Sequence, residues 1–350
     1  MHPATPVLPV LRAAVPPVAA AEATSGVWKG RHIKAFFRDK VRLAASLILL
    51  ATFCGCIGSA HRFLELSSHF RLQYLVLSTV CLIILVIFRD WRWSVAVLAG
   101  VVLNSALVLP WYFPDASRAP ASGDFPLRIL LSNVLTSNQD AGPLLSLVRA
   151  EHPDVLVLEE LDARWEQKVA ELDVSFPHSR KIARPDNFGI GIWSRFPLSN
   201  VEVIESGFFR LPSIQAQIEL DGHRFTILAT HPPPPVTADG FAERNTQLAN
   251  LARRARESTL PLVLIGDLNV TMWSPFYTRL IRDSGLLDAR KGHGVLATWP
   301  AHLPILAIPL DHCLVSRSIR IKAIKRGGNI GSDHLPIIVD LALGKTDAAP

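Results

Sequence analysis

IPLDHCLVS (Ile308–Ser316) and GSDHLPIIVDL (Gly331–Leu341) each set an Asp-His pair against an apolar run. A carboxylate beside an imidazole, held at the end of a rigid strand, is a common way to orient a catalytic histidine. Three further polar clusters close apolar runs upstream: LSNV (Leu131–Val134), VLEEL (Val157–Leu161) and LIGDLNV (Leu264–Val270). Together they supply carboxylates, amides and imidazoles but no nucleophilic Ser or Cys motif. That set of groups suits metal-assisted hydrolysis of a phosphoester.

Around these clusters, short β-type runs alternate with helical ones. Leu127–Ser132, Val155–Leu158, Gly189–Trp193, Gln215–Leu220, Arg224–Ala229, Leu262–Ile265, Cys313–Val315 and Ile337–Asp340 read as strands. Ala141–Ala150, Asp162–Leu172 and Ala242–Glu257 read as helices on their apolar spacing. Neither strict βαβ alternation nor an all-β pattern fits, so the expectation is a mixed α/β domain.

Each cluster has a bland alternative. Asn133, closing the first run, can hold a phosphate oxygen or a carboxylate, or simply make a turn. Glu159 and Glu160 follow a continuous apolar strand, and adjacent strand residues face opposite ways, so only one can enter a given cleft. A hard oxygen ligand there suits Mg2+, which takes one or two protein carboxylates plus water and substrate oxygens. Asp267 and Asn269 share a face if extended, the carboxylate able to activate water and the amide to bind a phosphate oxygen. As an isolated string, GDLN could equally be a strand-ending turn. Thr230-His231 runs into Pro232–Pro235, a stiff segment that fixes how the imidazole leaves the sheet. The two Asp-His pairs, Asp311-His312 and Asp333-His334, favour one carboxylate orienting one imidazole across a cleft.

The chain has 350 residues, 49% of them hydrophobic, and a formal net charge of +6. Residues 1–114 carry eleven Lys/Arg against four Asp/Glu; the remainder carries twenty-five against twenty-six. The basic excess therefore lies outside the catalytic part, which lacks a domain-wide footprint for duplex DNA. Of four cysteines only Cys313 falls in the C-terminal part, which excludes an internal disulfide and a Cys-based metal site there.

Residues 1–40 read as a disordered basic tail, and 41–114 as three transmembrane helices, with apolar runs at Val41–Ala60, Leu72–Phe88 and Ser94–Phe113. Six basic residues precede the first run, and Arg89 and Arg92 flank the turn between the second and third. The positive-inside rule then puts the tail in the cytoplasm. Three crossings put the catalytic domain on the periplasmic side of the inner membrane. Residues 115–126 are a linker, and 127–345 the catalytic domain.

Taken in order, Asn133, Glu160, SRFP (Ser194–Pro197), Thr230-His231, GDLN, Asp311-His312 and SDHLP resemble the endonuclease/exonuclease/phosphatase superfamily over about Leu127–Leu343. The membrane-anchored bacterial branch is the closer likeness, through the Pro-rich loop after His231, the helix with Arg244, Asn245 and Gln247, and Thr298–Pro300 with Ile308–His312. The resemblance implies a four-layer α/β sandwich of two mixed β-sheets flanked by helices. It also implies a cofactor, Mg2+ with Mn2+ as the alternative. Glu160 would bind it with Asn133 near and Asp333 in support. Asp267 would activate water or assist the leaving group, Asn269 and His231 would contact phosphate, and His334, oriented by Asp311, would bind or protonate it. Two departures stand out: Leu135 where many family nucleases have an acid or Asn, and Glu159 where Gln is common. The partners expected are the lipid bilayer and a phosphoester substrate, nucleic acid or phospholipid, with no obligate protein partner. Alternatives are a sphingomyelinase-like or inositol-phosphate phosphoesterase, or a catalytically silent scaffold.

Overall fold

The computed structural model describes residues 18–114 and 124–344, with side chains from residue 33 onward. Residues 1–17 of the expected tail and most of the expected linker therefore lie outside the described residues. From Val18 the chain is helical, as α1 (Val18–Cys56), followed by α2 (Arg62–Leu66), a 3-10 turn (Ser67–Phe70), α3 (Arg71–Ile87) and α4 (Trp91–Val108). Within the described residues two helical stretches, Arg62–Ile87 and Trp91–Tyr112, are long and apolar enough to cross a membrane. The first apolar run falls short of that test. Its helix stops at Cys56 instead of Ala60, and Asp39, Lys40 and Arg42 crowd the start of the run. Leu43–Cys56 then spans roughly 21 Å at 1.5 Å per residue, against about 30 Å of hydrocarbon core. Val76, Leu77, Val80 and Ile83 of α3, and Val95, Leu98 and Val102 of α4, remain exposed, unlike the core helices of a water-soluble domain.

The rest of the chain builds two six-stranded mixed sheets. Its strands are β1 (Phe125–Asn133), β2 (Val155–Glu159), β3 (His178–Ile182), β4 (Ile190–Ser194), β5 (Leu198–Ser206), β6 (Leu211–Leu220), β7 (His223–Thr230), β8 (Leu262–Asp267), β9 (Leu287–Asp288), β10 (Asp311–Val315), β11 (Ile319–Arg326) and β12 (Ile337–Leu343). One sheet runs β11-β12-β1-β2-β4-β3 and the other β5-β6-β7-β8-β10-β9. In each, a single central parallel pair (β1 with β2, β7 with β8) is flanked on both sides by antiparallel strands.

The central strands are apolar on both faces because both are covered. Ile129, Leu131, Val157 and Ile192 from one sheet meet Ile214, Ile227, Val263 and Ile265 from the other in the middle of the sandwich. Each such fully buried aliphatic side chain contributes roughly 1.5–3 kcal/mol. Outside the first sheet, α5 (Gly142–Glu151) and α6 (Ala163–Lys168) cover Leu130, Leu156 and Leu158. Asp162 caps α6 by accepting the Trp165 N–H at 2.7 Å. The helix expected over Asp162–Leu172 ends at Lys168, and a short α7 (Leu172–Ser175) follows. Outside the second sheet, α8 (Ala238–Glu257) and α9 (Pro275–Ser284) cover Leu228, Leu264 and Leu314. Leu72, Leu75, Leu107, Val108 and Trp111 of the N-terminal helices join that same apolar cluster. The helical hairpin is thus packed against the sandwich as well as joined to it by chain.

Candidate active site

Both central parallel pairs end at the same rim. β1 delivers Asn133, β2 delivers Glu159 and then Glu160, β7 leads into His231, and β8 ends at Asp267. On the first sheet, Asn133 Nδ2 donates to Glu160 Oε1 at 3.0 Å and the Thr136 N–H to Glu160 Oε2 at 3.1 Å. The Thr136 hydroxyl donates to the Glu160 carbonyl at 2.9 Å. Glu160 has φ 61, a left-handed conformation unusual for a side chain of this type. Such a conformation costs of order 1–3 kcal/mol and persists where the surroundings over-determine it. It turns Glu160 out of the strand while Glu159 stays buried inside.

At the end of the second sheet a chain of contacts forms, completed by His334 from the loop before β12 of the first. Asp311, opposite Asp267 in the β8–β10 pairing, lies 2.9 Å from His334 Nδ1 through Oδ2. His334 Nε2 lies 3.5 Å from Asp267 Oδ2, and His231 Nε2 is 3.5 Å from the same oxygen. The Asn269 N–H donates to Asp267 Oδ1 at 2.9 Å, and Asn269 Nδ2 donates to the Pro232 carbonyl at 2.9 Å. The expected pairing of one carboxylate with one imidazole across the cleft is Asp311 with His334. The other two members of the Asp-His pairs do different work. His312 turns away, within 3.0 Å of Arg290 Nη1 and 2.8 Å of the Val270 carbonyl. Asp333 accepts from Trp299 Nε1 at 2.9 Å.

The two sheets touch at this rim through Glu159, which is fully buried and accepts the Asp267 N–H at 3.2 and 3.0 Å on its two oxygens. A side chain at Gly266 would meet the Thr230 carbonyl at 1.8 Å and Glu159 Oε1 at 2.8 Å, so only glycine permits this approach. Burial pushes the Glu159 carboxyl up to about 8; Asp267 and Asp311 add to the rise and His231 opposes it. A neutral acid there is the isostere of the Gln common in the resembling family. Burial works against a charged imidazole at His334. The charges of Asp311 and Asp267 and the Asp311 hydrogen bond overcome it and raise His334 to about 10. Burial likewise opposes charge at His231, and Asp267 and Glu159 raise it to about 9. Asp267 is held below the ordinary carboxyl range, because the two imidazoles outweigh its burial.

Among the described residues, no three His, Cys, Asp or Glu side chains stand together as a ready-made metal cage. The oxygen donors still fit a hard cation held largely by water and substrate. Glu160 offers a carboxylate at the rim, and Asp333 Oδ1 is buried with no hydrogen-bond partner.

Several residues that support the site carried no role in the sequence. Gln247 Nε2 donates to the Thr230 hydroxyl at 3.0 Å, next to His231. Ser332 Oγ bridges the Asn133 carbonyl at 2.8 Å and the His334 N–H at 3.0 Å. Phe188 lies with its ring centroid 5.3 Å from that of His231. Of these, Gln247 and Ser332 stood in stretches that the family resemblance singled out, and Phe188 did not.

A model described as Endonuclease/Exonuclease/phosphatase family matches residues 130–334. No curated protein matches the chain. Among solved structures, an endonuclease/exonuclease/phosphatase from Beutenbergia cavernae DSM 12333 is 21% identical with a TM-score of 0.52, covering 64% of this chain and 73% of its own. D. rerio TDP2 complexed with single strand DNA product is 18% identical with a TM-score of 0.53, covering 62% and 99%. The human Nocturnin catalytic domain with bound sulfate anion is 21% identical with a TM-score of 0.51, covering 62% and 95%. At these identities the likeness is one of fold.

Proposed function

The chain belongs to the endonuclease/exonuclease/phosphatase family of metal-dependent phosphoester hydrolases, and from that premise we propose a membrane-anchored, Mg2+-dependent phosphodiesterase with nuclease-like chemistry. The observation that carries this proposal is the run Asp311–His334–Asp267–His231, set beside the Asn133–Glu160 pair on the facing sheet. Glu160, oriented by Asn133 and supported by Asp333, would hold Mg2+, which when bound neutralises charge on the phosphoryl oxygens. Asp267 Oδ2 is ionised and takes the proton of an attacking water. Its other oxygen is pinned by the Asn269 N–H, which fixes the direction of that transfer. His334 stays an imidazolium because Asp311 balances it, and donates from Nε2 to a phosphoryl oxygen as negative charge develops. His231 and the Asn269 amide are donors from the opposite side. Among the described residues no side chain in the cleft is disposed as a covalent nucleophile, so a single in-line attack by water suffices. The bond from the water oxygen to phosphorus forms as the P–O ester bond breaks, and the departing alkoxide takes a proton from solvent.

The helical hairpin supports an anchored, extracytoplasmic arrangement. Arg42 Nε donates to Asp90 Oδ2 at 2.6 Å, bringing the basic start of α1 to the turn between α3 and α4. Arg38, Lys40, Arg42, Arg89 and Arg92 thereby gather at the end of the hairpin remote from the sandwich. By the positive-inside rule that end is cytoplasmic and the sandwich lies on the periplasmic side.

The test uses the full-length protein in detergent with bis-p-nitrophenyl phosphate. Mg2+ or Mn2+ should support turnover, a chelator should abolish it, and Glu160→Ala and His334→Ala should each lower kcat at least roughly 100-fold. Turnover that survives both substitutions would sink the assignment and favour a scaffold. Parallel trials on single-stranded oligonucleotide and on phospholipid vesicles separate the substrate classes.

A further inference from the structure

The segment between α1 and α3 does more than connect two helices. Glu65, in α2, is completely buried, and two of the groups it meets, Arg244 and Ser274, lie more than 170 residues away in sequence. Its Oε1 accepts from Ser274 Oγ at 2.7 Å and lies 3.5 Å from His69 Nε2. Its Oε2 lies 3.1 Å from Arg244 Nη2, an ion pair without hydrogen-bond alignment. Arg244 is also completely buried, flanked by the rings of Phe241 and Phe276. Its Nη1 donates to the Asn269 carbonyl at 2.9 Å, while Nε and Nη2 donate to the neutral Asn245 Oδ1 at 3.0 and 2.8 Å. Next to it, His69 Nδ1 is 3.0 Å from the Thr271 hydroxyl.

Three of these contacts, at Asn269, Thr271 and Ser274, land on the stretch that follows Asp267. Asn269 itself has φ 50, and this left-handed turn sends its amide toward Pro232 and His231. Ion pairs taken out of water cost several kcal/mol in desolvation before pairing recovers it, and removing one partner strands the other. A connector that served only as a tether would have no use for such a pair.

We propose that Glu65 is a positioning residue of the active site. Acting through Arg244, it fixes the Asn269 carbonyl, and with it the turn that aims the Asn269 amide and braces His231. The loop beside the membrane helices is then a working part of the catalytic framework, a step that rests on the phosphoesterase assignment of the cleft. Without Glu65, the guanidinium is left buried and uncompensated, and it abandons the carbonyl for water.

Two variants of the full-length chain separate this role from general stability. Glu65→Gln keeps the shape and the Ser274 bond but removes the charge. Arg244→Lys keeps a charge for Glu65 but has a single nitrogen, which cannot also reach the Asn269 carbonyl. Both should lower kcat roughly 10- to 100-fold, the effect of an ångström-scale misplacement, with KM within about twofold. Their effects should not add in the double variant. Hydrogen exchange should rise in peptides covering 268–274 in both variants, a readout independent of turnover. A folded Arg244→Lys protein with unchanged kcat and unchanged exchange in that segment overturns the proposal. An equal rise of KM and fall of stability, with kcat intact, does so as well. Failure of the wild type to hydrolyse any phosphodiester would instead count against the assignment of the cleft, and the exchange measurement would still decide the role of Glu65.

Discussion

Replacing Glu159 with glutamine probes the electrostatics of the cleft without touching any group that meets substrate. Glu159 is fully buried, and among the described residues its carboxyl hydrogen-bonds the Asp267 N–H, which either side chain can satisfy through an oxygen. Its carboxyl is raised from 4.5 to about 8, chiefly by burial and then by Asp267 and Asp311. The folded chain therefore keeps a proton that the unfolded chain releases. The stability linked to that proton is complete below about pH 4.5 and is lost as pH rises through about 8. At about 1.4 kcal/mol for each pH unit, the loss amounts to on the order of 3–5 kcal/mol in the wild type. Glutamine does not titrate and loses nothing. The stability gap between Glu159→Gln and wild type should accordingly widen in favour of the variant from about pH 5 to about pH 8, then level off. Denaturant unfolding of both proteins in the same detergent, at steps across that range, measures the gap directly. Turnover of the variant at neutral pH should stay near that of the wild type, since the native acid is already uncharged there. A gap that does not change with pH, or one that narrows, would falsify the claim that Glu159 is neutral in the folded protein.

Two other outcomes follow from the geometry. Asp311→Asn removes the largest influence holding His334 protonated, so its pKa should fall from about 10 and the alkaline limb of the kcat profile should move to lower pH. A pH–rate profile identical to the wild type would show that another group governs that limb. The exposed apolar faces of α3 and α4 should keep the expressed protein in the membrane fraction through alkaline carbonate washing. Release into the wash would remove the membrane anchor.

The cleft was legible because its residues close buried strands. The runs Val155–Leu158 and Leu262–Ile265 are apolar without interruption, those ending at Ser132 and Ala229 are mostly so, and the polar groups after them mark strand ends. What escaped notice lies at the sheet edges. β5 and β11 alternate exposed polar side chains with few buried ones, and Arg320, Lys322 and Lys325 make β11 read as a charged surface. β9 has two residues, too short for any period to register. The break after Lys168 has no Gly or Pro to announce it. The choice between Glu159 and Glu160 depended on a left-handed backbone at Glu160, for which a Glu gives no signal. Glu65 and Arg244 could not be paired from sequence at all, because their meeting is purely tertiary. In the N-terminal helices, composition exposed the apolar runs but could not show that the first helix ends before Ala60.

Glu159 reaches from one sheet to the backbone of the other, and that reach gives the sandwich a second duty. The spacing between the two halves of the cleft is set by the thickness of aliphatic filling in the middle of the fold. Ile129, Val157, Val263 and Ile265 act as shims between two jaws. A methylene added or removed among them would leave every polar residue at the rim unaltered, yet change the gap across which they must cooperate.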